Sequence, residues 1–216
     1  MKKAFVFDLD GTLLDTVPSI AHFCNTALKF YGFPTNAEEK YKYFAGDGAV
    51  ILIHRALNEN GLDNKENYEK VFKKYIEIYD KDSSYKTGHF DGMPETLKKL
   101  KEMGFVLAIT SNKPYSTIKA VLPLFFDVKL FDVVLGGGID IALKPAPDMV
   151  LKVLEETGIK KEDAIYVGDT GTDMQTGKNA GLYTVGVSWG FRDRKELIET
   201  GADIVIDTPK QLLELL

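Results

Sequence analysis

The sequence predicts a doubly wound α/β fold, a parallel sheet with helices on both faces, carrying a small helical unit inserted after its first strand. Three observations carry this prediction. Short, near-continuously apolar runs recur at 4–7 (AFVF), 105–110 (FVLAIT), 133–136 (VVLG), 164–168 (AIYVG), 183–188 (YTVGVS) and 203–206 (DIVI). Unbroken apolar runs, rather than alternating ones, are how parallel strands covered on both faces read. Helical patterns at 93–103, 115–122, 147–157, 172–180 and 208–215 separate most of these runs, the alternation that builds right-handed crossovers. The stretch from Pro18 to Gly88 breaks the rhythm and reads as helices alone.

In chain order, the first run ends abruptly at Asp8, and the FDLDGT segment sets Asp8 and Asp10 beyond its carboxyl end. The insert follows, with helical patterns at 18–31, 37–44, 48–60 and 65–80; in YEKVFKKYIEIY (68–79) apolar residues recur at helical spacing with lysines and glutamates between them. The segment DSSYKTGH (82–89) reads as a linker. The expected division is therefore a core domain of 1–14 and 90–216 and an inserted helical domain of 15–89. Linkers near 14–18 and 82–90 are the expected hinges.

The 216 residues suffice for one large core or for a core plus an insert. Net charge is −5. Nucleic-acid affinity depends on Lys and Arg neutralising phosphates, so an acidic chain is a poor candidate for that partner. Cys24 is the only cysteine, which excludes an intrachain disulfide and fits a reducing compartment. No run approaches membrane-spanning length. The apolar run after Lys2 and Lys3 is cut at Asp8, too short for a signal-peptide core. A soluble cytoplasmic protein with no membrane partner is expected.

Ligands of doubly wound sheets bind beyond the carboxyl ends of the strands. Four sets of polar residues fall there: Asp8 and Asp10; Thr110, Ser111, Asn112 and Lys113; Lys144 before Pro145; and Asp169 and Asp173. One aspartate after a strand is an ordinary cap or turn former. Four sets together argue for a site. Asp8, Asp10 and Asp169 on one point would repel one another unless a pKa rises or a cation binds. An all-oxygen donor set suits Mg²⁺. His22, His54 and His89 lie outside these segments, and no His–Cys cluster points to zinc. Lys144, the Ser111 hydroxyl and the Asn112 amide could together cradle a phosphate.

DLDGT at 8–12, TSN at 110–112, Lys144 in KPAPD and GDTGTD at 168–173 resemble, in order and spacing, the four motifs of the haloacid dehalogenase-like superfamily. The resemblance covers the whole chain, and the insert is similar to the helical cap of that superfamily's first cap type. FAGDGAVILIHRAL (44–57), DGMPETLKKLKEMG (91–104), TSNKP (110–114) and VGVSWGF (185–191) resemble the corresponding stretches of phosphoglycolate phosphatases.

The resemblance implies a Mg²⁺-dependent phosphatase acting on a small phosphorylated metabolite. It makes Asp8 the nucleophile that forms an aspartyl-phosphate. It makes Asp10 the acid for the leaving group and then the base for water, with Gly11 permitting the turn between them. Mg²⁺ would be held by Asp8, the Asp10 carbonyl and Asp169, with Asp173 as supplementary ligand or orienter. Ser111, Asn112 and Lys144 would hold the phosphoryl group. Thr12 would bond near Asp8 or Asp10, or cap a helix. An aspartate at position 10 favours phosphate esters over the haloacids of the dehalogenase branch.

Gly46, Asp47 and Gly48 precede a predicted helix, where a small substrate carboxylate such as that of 2-phosphoglycolate could dock. Asp47 would repel it unless it caps the helix or turns away. A β-phosphosugar mutase, a pyrophosphatase or a phospho-aspartate receiver domain are the alternatives, and a monomer or homodimer is expected.

Overall fold

In the computed structural model, which describes residues 3–138 and 140–215, the chain begins with β1 (Ala4–Phe7), whose four side chains are all buried. It turns through Asp8–Leu13 into the short strand β2 (Leu14–Asp15). Four helices follow: α1 (Val17–Phe30), α2 (Tyr41–Phe44), α3 (Ala49–Asn58) and α4 (Lys65–Tyr79). A second short strand, β3 (Gly88–His89), pairs with β2 in a two-stranded sheet. Strands and helices then alternate: α5 (Met93–Glu102), β4 (Val106–Pro114), α6 (Tyr115–Phe125), β5 (Val133–Gly137), α7 (Asp148–Thr157), β6 (Ala164–Gly168), α8 (Gly171–Ala180), β7 (Tyr183–Val187), α9 (Arg194–Glu199) and β8 (Ile204–Ile206). A 3-10 helix at Pro209–Glu214 closes the described chain.

The main sheet has six strands in the order β5-β4-β1-β6-β7-β8, and its pairs are parallel. The chain winds one way from β1 through β4 to β5, then the other way through β6, β7 and β8. The order therefore reverses at β1, the place where such sheets open a crevice for ligands. Register makes the crevice functional: Phe7 stands level with Ile109 on one side and Val167 on the other. The residues that follow each strand end are thus delivered to one edge.

Side chains alternate across the sheet, and two apolar layers result. Phe5, Phe7, Leu107, Ile109, Ile165 and Val167 pack with Met93 and Leu97 of α5 and Ile118 and Val121 of α6. Ala4, Val6, Ala108 and Tyr166 pack with Met149, Val150 and Val153 of α7 and Ala180 of α8. Each large side chain buried this way contributes about 1.5–3 kcal/mol.

The contacts divide the chain into two units, 1–15 with 89–216 and 16–88. Apart from Gly88 of β3, the regular elements described in the second unit are helical. Its core includes Ile20, Phe23, Cys24, Ala27 and Leu28 of α1, Leu52, Ile53, Ala56 and Leu57 of α3, and Val71, Tyr75 and Tyr79 of α4. Among the described residues, no helix is long and apolar enough to cross a membrane.

Four local features differ from the sequence pattern. β4 continues past Thr110 to Pro114, with its pairing to β5 shifting between Ser111 and Pro114. The 37–44 region divides into a 3-10 turn at Glu38–Lys40 and the short α2. The last helical pattern is a 3-10 helix started by a capping box at Thr208 and Gln211. α9 buries only Leu197, too few positions to show a helical period.

Candidate active site

Asp8 extends the ladder of β1, its N–H donating to the Val167 carbonyl at 2.9 Å. Its carboxylate accepts a 2.6 Å hydrogen bond from Lys144 Nζ, which donates equally, at 2.6 Å, to Asp173 Oδ1. Lys144 is itself held by Asn112. The Asn112 side chain accepts from the Lys144 N–H at 2.8 Å and donates to the Lys144 carbonyl at 3.2 Å. Asn112 therefore places the lysine by its backbone, leaving the ammonium to the aspartates.

Asp173 is the most heavily bonded acid in the site. Oδ1 accepts from Lys144 and from the Tyr166 hydroxyl at 3.2 Å. Oδ2 accepts from the Asp169 and Thr170 N–H groups and from Thr170 Oγ1. It is the third helical residue of α8 and completes a capping box with Thr170, which supplies partners for amides that a helix start otherwise leaves unpaired. Asp169 accepts from Thr12 Oγ1 at 2.9 Å and from the Phe191 N–H at 2.8 Å. It is threaded between two glycines. A Cβ at Gly11, whose φ is +90°, would lie 2.2 Å from Asp169 Oδ2, and one at Gly190 would lie 2.3 Å from Asp169 Cβ. Thr12 thus serves Asp169.

Asp10 has a different partner. Both its oxygens lie 3.1 Å from Lys113 Nζ. Ser111 is buried in the extension of β4, and its Oγ accepts from the Lys113 N–H at 3.2 Å.

Electrostatics separate the members of this group. Burial pushes the Asp8 carboxyl up to about 7; Lys144 opposes the shift, while Asp173 and Asp10 add to it. Asp169 is raised well above the ordinary carboxylate range by burial, then by the charges of Asp173 and Asp8. Burial alone would lower Lys144, but Asp173 and Asp8 outweigh it and hold the ammonium well above its usual value.

Asp8, Asp169 and Asp173 each present an oxygen within 4.8 Å of the others. Lys144 is the cation bonded within this set. With all three carboxylates ionised, that ammonium leaves two negative charges, which a single divalent cation would balance. The donors are hard oxygens, so the set fits Mg²⁺ or a similar ion.

The candidates of the helical unit have other surroundings. Gly46 and Gly48 have φ of +112° and +88°, and Gly48 is the N-cap of α3 without a side-chain capping bond. The Asp47 carboxylate pairs with Arg55 at 2.7 Å. Arg55 also donates to the Tyr43 and Phe44 carbonyls, each at 3.2 Å, tying α3 to the end of α2.

This geometry can be set beside known proteins. The family model described as haloacid dehalogenase-like hydrolase matches residues 5–187. The chain belongs to the haloacid dehalogenase-like hydrolases. It is 33% identical over 218 residues to the phosphoglycolate phosphatase of Vibrio parahaemolyticus, covering 99% of this chain and 95% of that one. Against the phosphoglycolate phosphatase of Vibrio vulnificus the identity is 34% with the same coverage. The crystal structure of a candidate phosphoglycolate phosphatase from Lactobacillus delbrueckii superposes with a TM-score of 0.94 at 31% identity, covering 100% of this chain and 98% of that one. As a haloacid dehalogenase-like hydrolase with a buried aspartate cluster, the protein is an enzyme, a phosphoric monoester hydrolase.

The sequence pattern places Lys113 at a strand end without a role and assigns none to Tyr166 or the Phe191 amide. Lys113 had a usable signal. In extended chain, residues two apart share a side, which groups Lys113 with Ser111 and sets Asn112 opposite, toward Lys144.

Proposed function

We propose that the protein hydrolyses 2-phosphoglycolate, a small phosphate monoester, through an aspartyl-phosphate on Asp8. One observation carries this reading: two aspartates separated by one residue have different cationic partners, Asp8 with Lys144 and Asp10 with Lys113. Carboxyl groups in separate environments can take separate roles, attack and proton transfer.

In this reading Asp8 attacks phosphorus. Asp10 gives its proton to the departing oxygen and later takes one from water. The Ser111 hydroxyl, the Asn112 N–H and Lys144 Nζ hold the phosphoryl oxygens, and the Asn112 side chain keeps Lys144 in place. Asp173 orients Lys144 and stands alongside the ligand set. Mg²⁺ is the proposed cation, held by Asp8, the Asp10 carbonyl and Asp169, and when bound it would offset negative charge between the phosphoryl group and the acids. Phosphoryl transfer is mostly positioning and charge neutralisation, which these residues supply.

The similarity to named phosphoglycolate phosphatases over nearly their full length supports the substrate. Within the helical unit, the turn at Gly46, Asp47 and Gly48 is the proposed place for a small carboxylate. Its glycines open the start of α3, and Arg55 neutralises Asp47, so a small carboxylate meets less repulsion there.

The test is phosphate release with Mg²⁺ from 2-phosphoglycolate, a hexose 1-phosphate and pyrophosphate. The highest kcat/KM is expected for 2-phosphoglycolate, with turnover abolished in Asp8→Asn. Isomerisation of the hexose phosphate would make the protein a mutase, and preference for pyrophosphate a pyrophosphatase. A stable phospho-aspartate without turnover would make it a receiver.

A further inference from the structure

The contact between Asp10 and Lys113 sets Asp10 apart from Asp8, and its geometry gives the lysine a task of its own. It is well built. Both carboxylate oxygens are 3.1 Å from Nζ, and the Lys113 side chain is 5% exposed against 17% for Asp10. A lysine is buried at a cost unless it is paired, and an ammonium shared by two oxygens restricts how the carboxylate can turn. The backbone at this point is also confined. The Lys113 N–H donates to Ser111 Oγ, and a Cβ at Gly136 in β5 would meet the Lys113 carbonyl at 2.8 Å. Lys144 serves Asp8 and Asp173, so two lysines divide the acids between them.

The geometry points to Lys113 as the positioning residue of Asp10, orienting its carboxyl group for proton transfer and meeting the charge that appears when the proton leaves. This rests on the reading of Asp10 as the leaving-group acid. In the first half-reaction a bond forms between an Asp8 oxygen and phosphorus. The bond from phosphorus to the ester oxygen breaks, and that oxygen takes the proton of Asp10. The electron pair left on the Asp10 carboxylate faces Lys113 Nζ. In the second half-reaction water adds to phosphorus, its proton passes to Asp10, and the bond from phosphorus to Asp8 breaks. In this proposal Lys113 acts through Asp10. Fixed charges aimed at developing charge contribute strongly in a site of low exposure.

The experiment exploits the leaving group. An alkoxide needs a proton to depart, whereas p-nitrophenolate does not. kcat/KM reports the steps up to that departure, so the later hydrolysis does not enter. The ratio of kcat/KM for 2-phosphoglycolate to that for p-nitrophenyl phosphate is measured for wild type, Asp10→Asn, Lys113→Met and Lys113→Arg. Asp10→Asn is expected to lower the ratio by about 100-fold or more. Lys113→Met is expected to lower it by about tenfold or more, and Lys113→Arg to recover most of the loss. If Lys113→Met depresses both substrates equally, the lysine serves the phosphoryl group or the fold, and the proposal is overturned. If Asp10→Asn leaves the ratio at the wild-type value, the acid assignment itself fails, which is a separate result. Should methionine prevent folding, Lys113→Gln carries the same comparison with the same expectation.

Discussion

The two units bury polar groups in opposite ways. At the strand ends of the α/β unit the buried groups include a charged cluster: Asp8, Lys144, Asp169 and Asp173 are between 0% and 6% exposed. In the helical unit the corresponding network is neutral. Asn25 and Asn36 exchange two hydrogen bonds, Tyr41 donates to Asn25, Asn36 donates to the Ala56 carbonyl, and Asn60 donates to Asn36. The charges of that unit sit outside, in pairs such as Lys70–Glu66 and Lys81–Glu77. A satisfied neutral network fixes α1, α2 and α3 with little electrostatic cost. A cluster with excess negative charge opposes folding, and such clusters collect where chemistry uses them. The contrast teaches which substitutions should exchange stability for activity and which should affect stability alone.

The largest effect is expected at Lys144. Lys144→Met leaves Asp8 and Asp173 buried without their shared cation, and phosphatase turnover should fall by about 1000-fold or more. The melting temperature should fall with it. Asp8→Asn should have the opposite effect on stability while also abolishing turnover. The folded state raises the Asp8 pKa from 3.8 to about 7, so it binds that proton more tightly than the unfolded chain does. Stability contributed at this position is therefore lost as pH rises from about 4 to about 7. In chelator-treated protein, the Asp8→Asn variant should melt above wild type by a margin that widens between about pH 5 and pH 8. A margin that is negative, or flat with pH, would mean the cluster is not overloaded with negative charge.

A smaller effect sharpens the metal side of the contrast. Trp189 is the only tryptophan in the chain. Its Nε1 donates to the Thr12 carbonyl at 3.1 Å, and Thr12 Oγ1 donates to Asp169. Tryptophan emission therefore reports on the α/β unit beside Asp169. Titration with Mg²⁺ should shift that emission in wild type, and Asp169→Asn should weaken the apparent affinity by about 100-fold. Identical titration curves would remove Asp169 from the ligand set.

How far the sequence could be read follows from the same contrast. Strand ends were legible because the strands are unbroken apolar runs and α/β sheets gather ligands at their carboxyl edge; Phe7 ends its run, Ile109 and Val167 each stand one residue before the end of theirs, and the three are level. Partnerships across the sheet were not legible. Lys113 lies 103 positions from Asp10, and nothing local in NKP says which acid it meets. The clasp of Asn112 on the Lys144 backbone is likewise a product of register. Asp47 looked like an obstacle to an anion because its partner, Arg55, lies eight positions on, outside the three- and four-residue spacings that sequence reading checks. β2 and β3 have two residues each, too few to show alternation.

The smallest expected effect tests whether the neutral network is purely structural. Asn36→Ala removes its donation to the Ala56 carbonyl and leaves Asn60 without that acceptor, at a cost of about 1–2 kcal/mol. Cys24 reports the consequence. Burial pushes its thiol up to about 12, so thiolate is scarce near neutral pH and alkylation of the native protein should be slow. A loss of that size changes the open population by a factor of about 5–30, and Cys24 labelling in Asn36→Ala should accelerate to match. The emission of Trp189 and its response to Mg²⁺ should stay at wild-type values. If labelling and emission instead change together, the asparagine network supports the charged cluster as well, and the contrast between a structural unit and a chemical one fails.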